Sequence, residues 1–204
     1  MRKTGLFAVL AVAASCGVAH GALLISGVST TDLGGGLTQW SYTVAVQPDS
    51  NMRVVGTNPP AGALANDAFT LFDFVGYVPG SASLTGTLAG STFTLSEQPI
   101  GLTPALVTPT DSVLLPNLSV SLTGGANVVP TTGGAAVTLF TLNLTSTAGG
   151  IVPGGISHFT GQTLNKVTTF TQSNIGLVQA PIPEPGSLAL VAAGLPLLAR
   201  RRRA

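Results

Sequence analysis

Charge is what this chain has least of. Asp, Glu, Lys and Arg make up only 7% of its 204 residues, against about a quarter in an ordinary soluble protein. The few bases are also unevenly placed: Arg2 and Lys3 stand at the start, and Arg200, Arg201, Arg202 and Arg203 at the end. Between residues 22 and 182 only Arg53 and Lys166 remain, facing Asp32, Asp49, Asp67, Asp73, Glu97 and Asp111. That segment has no basic face to neutralise phosphates, which excludes a nucleic-acid partner.

Cysteine and histidine are nearly absent as well. Cys16 is the one cysteine and His20 and His158 the two histidines, so no disulfide forms within the chain and no zinc site of several Cys and His ligands can be assembled. The acids follow no Asp-x-Asp-x-Asp calcium loop, and no glycine-rich stretch has phosphate-loop spacing with a lysine. No metal and no cofactor is expected. A nucleophile with its base would have to use His158 beside Ser157 in "GGISHFTG", without a Gly-x-Ser-x-Gly elbow. Glu97 and Asp111 are a glycosidase pair only in the sense that any two carboxylates are. Asp73, between Phe72 and Phe74, reads as a ligand for calcium or a sugar hydroxyl, or as a turn residue opposite buried aromatics. Trp40 reads as a sugar-stacking ring or as core. No catalytic residue emerges, and the expectation is a protein that is not an enzyme.

Two apolar runs frame the chain, and both are short. Met1 to Thr4 is a positive n-region, Gly5 to Ala14 an apolar h-region, and Ala19-His20-Gly21 supplies small residues for signal cleavage after Gly21. Ten apolar residues cover about 15 Å as a helix where a span needs about 30 Å, so residues 1–21 read as a removable secretory signal helix. Cys16 raises the alternative of a lipidated cysteine, but Ala13 stands where that signal usually has leucine. At the other end Gly186 to Ala199 is a run of small and apolar residues broken by Ser187 and Pro196. Its helix would be about 21 Å long, a short transmembrane helix. Arg200 to Arg203 stay on the cytoplasmic side and stop the run there, placing everything before Gly186 outside. Pro181, Pro183 and Pro185 hold the junction before the span extended, as suits a segment that a protease must read.

Pro183-Glu184-Pro185, the apolar segment and the terminal arginines, in that order, resemble the PEP-CTERM sorting signal of bacterial envelope proteins. The resemblance covers about 22 residues of the chain. It implies that Pro183, Glu184 and Pro185 are recognition residues for an exosortase, a membrane-embedded thiol protease that cuts nearby, and that the C-terminal helix enters the membrane transiently. Pro196 departs from the pattern by weakening the helix, which favours temporary insertion over lasting anchorage. The stretch "DAFTLFDFVGYVPGS" after an early aromatic strand is also similar to exported regions of that family. The family's link with extracellular polysaccharide makes such polysaccharide an implied partner, and the implied location is outside the inner membrane, in the cell envelope, on the cell surface or in the medium.

The delivered segment, residues 22–180, has the periodicity of strands. Trp40, Tyr42, Val44 and Val46 alternate with Ser41, Thr43 and Ala45, and Leu118, Val120 and Leu122 with Ser119 and Ser121. Phe93 and Leu95, and then Phe140, Leu142 and Leu144, do the same against threonine, serine and asparagine. Further strands are expected over Leu23 to Ser29, Met52 to Gly56, Ala68 to Tyr77, Ser83 to Leu88, Val167 to Gln172 and Ile175 to Gln179. Clusters such as Gly34-Gly35-Gly36, Pro48-Asp49-Ser50-Asn51 and Gly133-Gly134 supply the reversals, and Leu102 to Pro116 reads as a long loop. Nine to eleven strands with one apolar face each must bury that face. The expected fold is therefore all-β, a β-sandwich of immunoglobulin-like or jelly-roll type flanked by the two terminal helices, with a barrel as the alternative. Residues 181–204 form the sorting tail.

Two function classes follow. One is a non-enzymatic component of the envelope or extracellular matrix, favoured by low charge and by 25 Thr and 14 Ser between residues 22 and 182. The other is a secreted carbohydrate-binding module or glycan hydrolase held by a C-terminal anchor.

Overall fold

The computed structural model describes residues 22–54, 64–148 and 155–182. The signal segment with Ala19 and Gly21, the tripeptide Pro183-Glu184-Pro185, the apolar run and Arg200 to Arg203 lie outside those residues, and so do the segments expected to form the two terminal helices. Among the described residues there are ten strands and no helix. They are β1 (Leu23–Gly34), β2 (Leu37–Val46), β3 (Ser50–Asn51), β4 (Ala68–Leu71), β5 (Ser83–Thr85), β6 (Ser91–Gln98), β7 (Asn117–Gly125), β8 (Val137–Ser146), β9 (Gly155–Asn165) and β10 (Thr171–Ala180).

Two antiparallel sheets result. The first has the order β1-β2-β8-β5 and the second β10-β9-β4-β7-β6, with β3 paired to β9 beyond the end of β4. The chain crosses between them repeatedly, so neither sheet forms without the other. The β1–β2 reversal shows how local chemistry sets register: Gly35 and Gly36 both have positive φ (64° and 79°), as a two-residue hairpin turn requires. The Asp32 carboxylate accepts the Gly34 N–H at 2.8 Å.

The inner faces meet in one core, built from the alternating rows read in the sequence. Trp40, Tyr42, Val44 and Val46 of β2 and Leu142 and Leu144 of β8 face Phe69, Leu71, Leu118, Val120 and Leu122 of the second sheet, all buried. A register shift between Val44 and Ala45 lets Leu139 and Phe140, adjacent in β8, both be fully buried, the usual consequence of a bulge. Aromatic rings fill the core in two groups: Trp40, Tyr42, Phe74 and Tyr77 at contacts of 6.3–6.4 Å, and Phe69, Phe93, Phe140 and Phe159 at 5.2–6.2 Å. Such edge and offset pairs each add about 0.5–1.5 kcal/mol beyond area burial.

Strand boundaries depart from the sequence reading in several places, among them Ala68 to Tyr77, where β4 ends at Leu71. β9, which carries β10 on one side and β3 and β4 on the other, was not among the expected strands; its core-facing residues are Ser157, Phe159, Gly161 and Thr163, with a single large apolar side chain. Gly161 is required there, because a Cβ would lie 2.8 Å from the Leu23 Cβ and 2.7 Å from the Asn174 Oδ1. Val167 to Gln172, expected as a strand, is mostly the tight β9–β10 reversal, with Val167 and Phe170 exposed. Of Met52 to Gly56, expected as a strand, Met52 makes only an isolated bridge, to Val128, and residues 55 and 56 lie outside the described residues.

Both bases of this region are engaged by the fold, Arg53 buried and Lys166 half-buried. Arg53 donates through Nε and Nη2 to both Asp67 carboxylate oxygens at 3.1 Å, its backbone N–H adds a bond at 2.7 Å, and the Gln162 amide donates to Asp67 at 3.3 Å. Burial pushes the Asp67 carboxyl up, against the pull of Arg53 and Gln162. The Lys166 ammonium donates to the Pro48 carbonyl at 2.7 Å and to the Pro130 carbonyl, capping one end of the sheets.

Replacing Arg53 with methionine leaves a buried carboxylate without its cation, and the expected loss in denaturant unfolding is about 3–5 kcal/mol. Adding Asp67→Asn, which keeps an oxygen acceptor for the remaining donors, recovers at least half of that loss. A single Arg53→Met change as mild as a surface substitution would contradict the role of this pair. The tyrosines give a second test. Tyr77 is pushed up to about 12 by burial and by its hydrogen bond to the Glu97 carboxylate, and burial pushes Tyr42 higher still. Unfolded phenols ionise near about pH 10, so above that value the unfolded chain has released protons that the folded chain retains, and stability falls as pH rises. Native protein at about pH 10.5 therefore shows almost no phenolate absorbance, and denaturant at the same pH brings it out.

Candidate functional site

The outer face of the second sheet carries the residues that the sequence marked as chemically interesting. Cross-strand pairing sets hydroxyls in a row: Ser96 opposes Ser119, Ser119 opposes Thr70, and Thr70 opposes Thr160. Three of the four, Ser119, Thr70 and Thr160, are buried, and the 99–116 loop lies over Thr70 and Ser119. The Thr70 hydroxyl donates to the Leu102 carbonyl at 2.9 Å, and the Leu102 N–H donates to Ser119 Oγ at 3.3 Å. Gly101 sits flat against the Phe72 ring, with no room there for a side chain.

Asn117, fully buried at the start of β7, is the hub that holds the loop down. Its amide donates to Asp111 Oδ1 at 2.8 Å and to the Pro99 carbonyl at 3.2 Å, and its Oδ1 accepts the Asp73 N–H at 2.9 Å. Asp111 Oδ2 accepts the Gly101 N–H at 3.1 Å, and Asp73 Oδ1 accepts the Ser112 N–H at 2.8 Å. Asp73 has φ of 52°, a conformation that Asp and Asn tolerate better than most residues. The turn it makes sends Phe72 and Phe74, both fully buried, to opposite sides of the sheet. Burial pushes the Asp73 carboxyl up, and the Asp111 charge adds to this, while the Ser112 N–H and His158 oppose it. Of the two readings of Asp73, the structure supports the turn: its carboxylate is engaged by backbone and ties down the loop.

The other candidates separate. Ser157 and His158 are adjacent in β9 and so point to opposite faces. The Ser157 hydroxyl donates to the Phe72 carbonyl, while half-buried His158 stands on the outer face opposite Leu177. Glu97 opposes Leu118 on the inner face, accepting from Tyr77 Oη and from the Gly80 N–H at 3.4 Å; Asp111 binds Asn117 on the outer face. Trp40 is core, 4% exposed. Among the described residues no group of three or more His, Cys, Asp or Glu is placed to hold a metal ion, and no helix is long and apolar enough to cross a membrane. Asn117, the centre of the arrangement, carried no sequence signal beyond its place after Pro116.

Comparison of the chain with protein-family models, with curated proteins and with solved structures returns no match.

Asp73→Asn keeps the acceptor for Ser112 and removes a charge beside Asp111, so this variant should unfold at or above the wild-type denaturant midpoint. Asp73→Ala loses the acceptor and strains the turn, at an expected cost of about 1–3 kcal/mol, with faster proteolysis within the 99–116 loop. Equal stability of the two variants would show that the carboxylate does not anchor the loop.

Proposed function

We propose that this protein is a non-enzymatic component of the cell envelope or extracellular matrix, exported and then sorted by its C-terminal tail. In this reading the two sheets are a β-sandwich of immunoglobulin-like or jelly-roll type, preceded by a signal helix removed after Gly21. The observation that carries the reading is the order of the tail: Pro183-Glu184-Pro185, the apolar run, then Arg200 to Arg203, beginning three residues after β10 ends at Ala180. An exosortase-type protease recognises the tripeptide while the short helix is transiently in the membrane and the arginines hold it from the inside.

Several features support a binding or scaffolding role over hydrolysis. Ser157 and His158 face opposite ways, as do Glu97 and Asp111, and the carboxylates of Asp73 and Asp111 are engaged by backbone and amide donors. Arg53 is buried against Asp67 and half-buried Lys166 is held by two carbonyls, so the described surface is hydroxyl-rich and weakly acidic, suited to contact with neutral polysaccharide. Phe170 is the one strongly exposed aromatic among the described residues, whereas a specific sugar-binding module presents several.

Intact mass spectrometry of the protein from envelope and culture fractions tests this. The expected product begins at Ala22 and ends close to Pro183–Pro185, with or without added sugar mass. A product retaining Arg200 to Arg203 would overturn the sorting reading and make the tail a lasting anchor.

A further inference from the structure

The four sheet edges of this domain are not equally protected. Exposed edges invite pairing with another strand, and proteins blunt them with charge, proline, bulges or shortness. β1 carries Asp32 and two register shifts, β6 carries Glu97 and one, and β5 is three residues long. β10 has none of these: ten residues, "TQSNIGLVQA", without charge or proline, paired to β9 in unbroken register.

The pleat of β10 can be phased. The Gln179 carbonyl is taken by the Tyr42 hydroxyl at 2.9 Å, on the side away from β9. Alternate residues turn their backbone groups the same way, so Ser173, Ile175 and Leu177 also aim N–H and C=O outward. None of these has a backbone partner among the described residues. Beside this edge, on the outer face, Ile175, Leu177 and Ile156 of β9 are 40%, 61% and 67% exposed.

We propose that β10 pairs with β10 of a second copy of this chain, antiparallel about a two-fold axis at Gly176. That register sets Ile175 against Leu177 of the other copy twice over, joining their outward backbone groups, and brings Ser173 opposite its Gln179, whose carbonyl stays with Tyr42. The exposed isoleucine and leucine side chains then form one apolar strip across the junction. Gly176 at the axis allows the close approach of a non-hydrogen-bonded pair. A second copy is the occupant because the strand is its own complement: it has no charge to repel itself, and pairing extends two sheets into one. The other edges are blocked, so the contact closes on itself and yields dimers, not fibres.

The test uses the exported protein purified from the cells that make it. Sedimentation should give the mass of two chains at about 100 µM, and Ile175→Lys with Leu177→Lys should give the mass of one, with a single cooperative unfolding transition of the variant as the control for folding, its midpoint lowered only by the lost association. Ser173→Cys with Gln179→Cys in one chain should form a disulfide-linked dimer on mild oxidation, while either change alone should not. A wild-type monomer would overturn the proposal. So would a dimer that survives both lysines, which would place the contact elsewhere, including in the apolar tail.

Discussion

Arg53 and Asp67 stand at the centre of a region with almost no other charge. The pair bridges the strand end after β3 and the residue before β4, and Gln162 ties it to β9 while the Asp67 carbonyl accepts the Leu122 N–H of β7. Four strands of the second sheet are thus indexed to one buried carboxylate. A buried ion pair is not in itself a strong source of stability, but an unpaired one is costly, so arrangements that separate Arg53 from Asp67 are disfavoured. With only Lys166 as another base, and that ammonium held by two carbonyls, no alternative cation can take Arg53's place. The register of β3, β4, β7 and β9 follows from this restriction together with the apolar rows.

The outer face of the second sheet solves a different problem. Polar rows on a sheet normally face water, yet here Thr70, Ser119 and Asn117 are buried beneath the 99–116 loop, and Thr160 beside them is buried too. The loop makes this tolerable at Thr70, Ser119 and Asn117 by offering backbone groups to them, and the two aspartates and Asn117 bind its ends in return, whereas the buried Thr160 hydroxyl has no partner among the described residues. A chain that uses threonine, serine and asparagine where others use lysine and glutamate can thus build polar interior layers as well as a neutral exterior. The same economy of charge leaves β10 without the usual guard on an edge strand.

How far this was legible in the sequence varies by element. β2, β7 and β8 were plain, because Trp40, Tyr42, Val44 and Val46, or Leu118, Val120 and Leu122, carry their alternation in large side chains. β9 was hidden for the opposite reason: covered on both faces, it needs small and polar residues where Leu23 and the 64–67 segment press close, so no period of two survives in its hydrophobicity. Val167 to Gln172 carried β-branched residues and still became a turn, because the Asn165 side chain accepts the Val167 and Thr168 N–H groups and closes the chain on itself. Asp73 was noticed as an acid between aromatics, but its role in pinning a loop forty residues away in sequence depends on Ser112, Asp111 and Asn117 arriving at the same place.

By itself, then, the sequence determined the all-β class, most of the core rows and the reversals, since these depend on residues close in the chain and on a period of two. It also carried the tail motif, whose order is linear. Only the tertiary structure decided which strands are neighbours, that Ser157 and His158 fall in a strand at all, and that an asparagine after Pro116 organises the outer face. Each of these depends on contacts between distant segments, and no local pattern of hydrophobicity or charge encodes which segment will lie across from which.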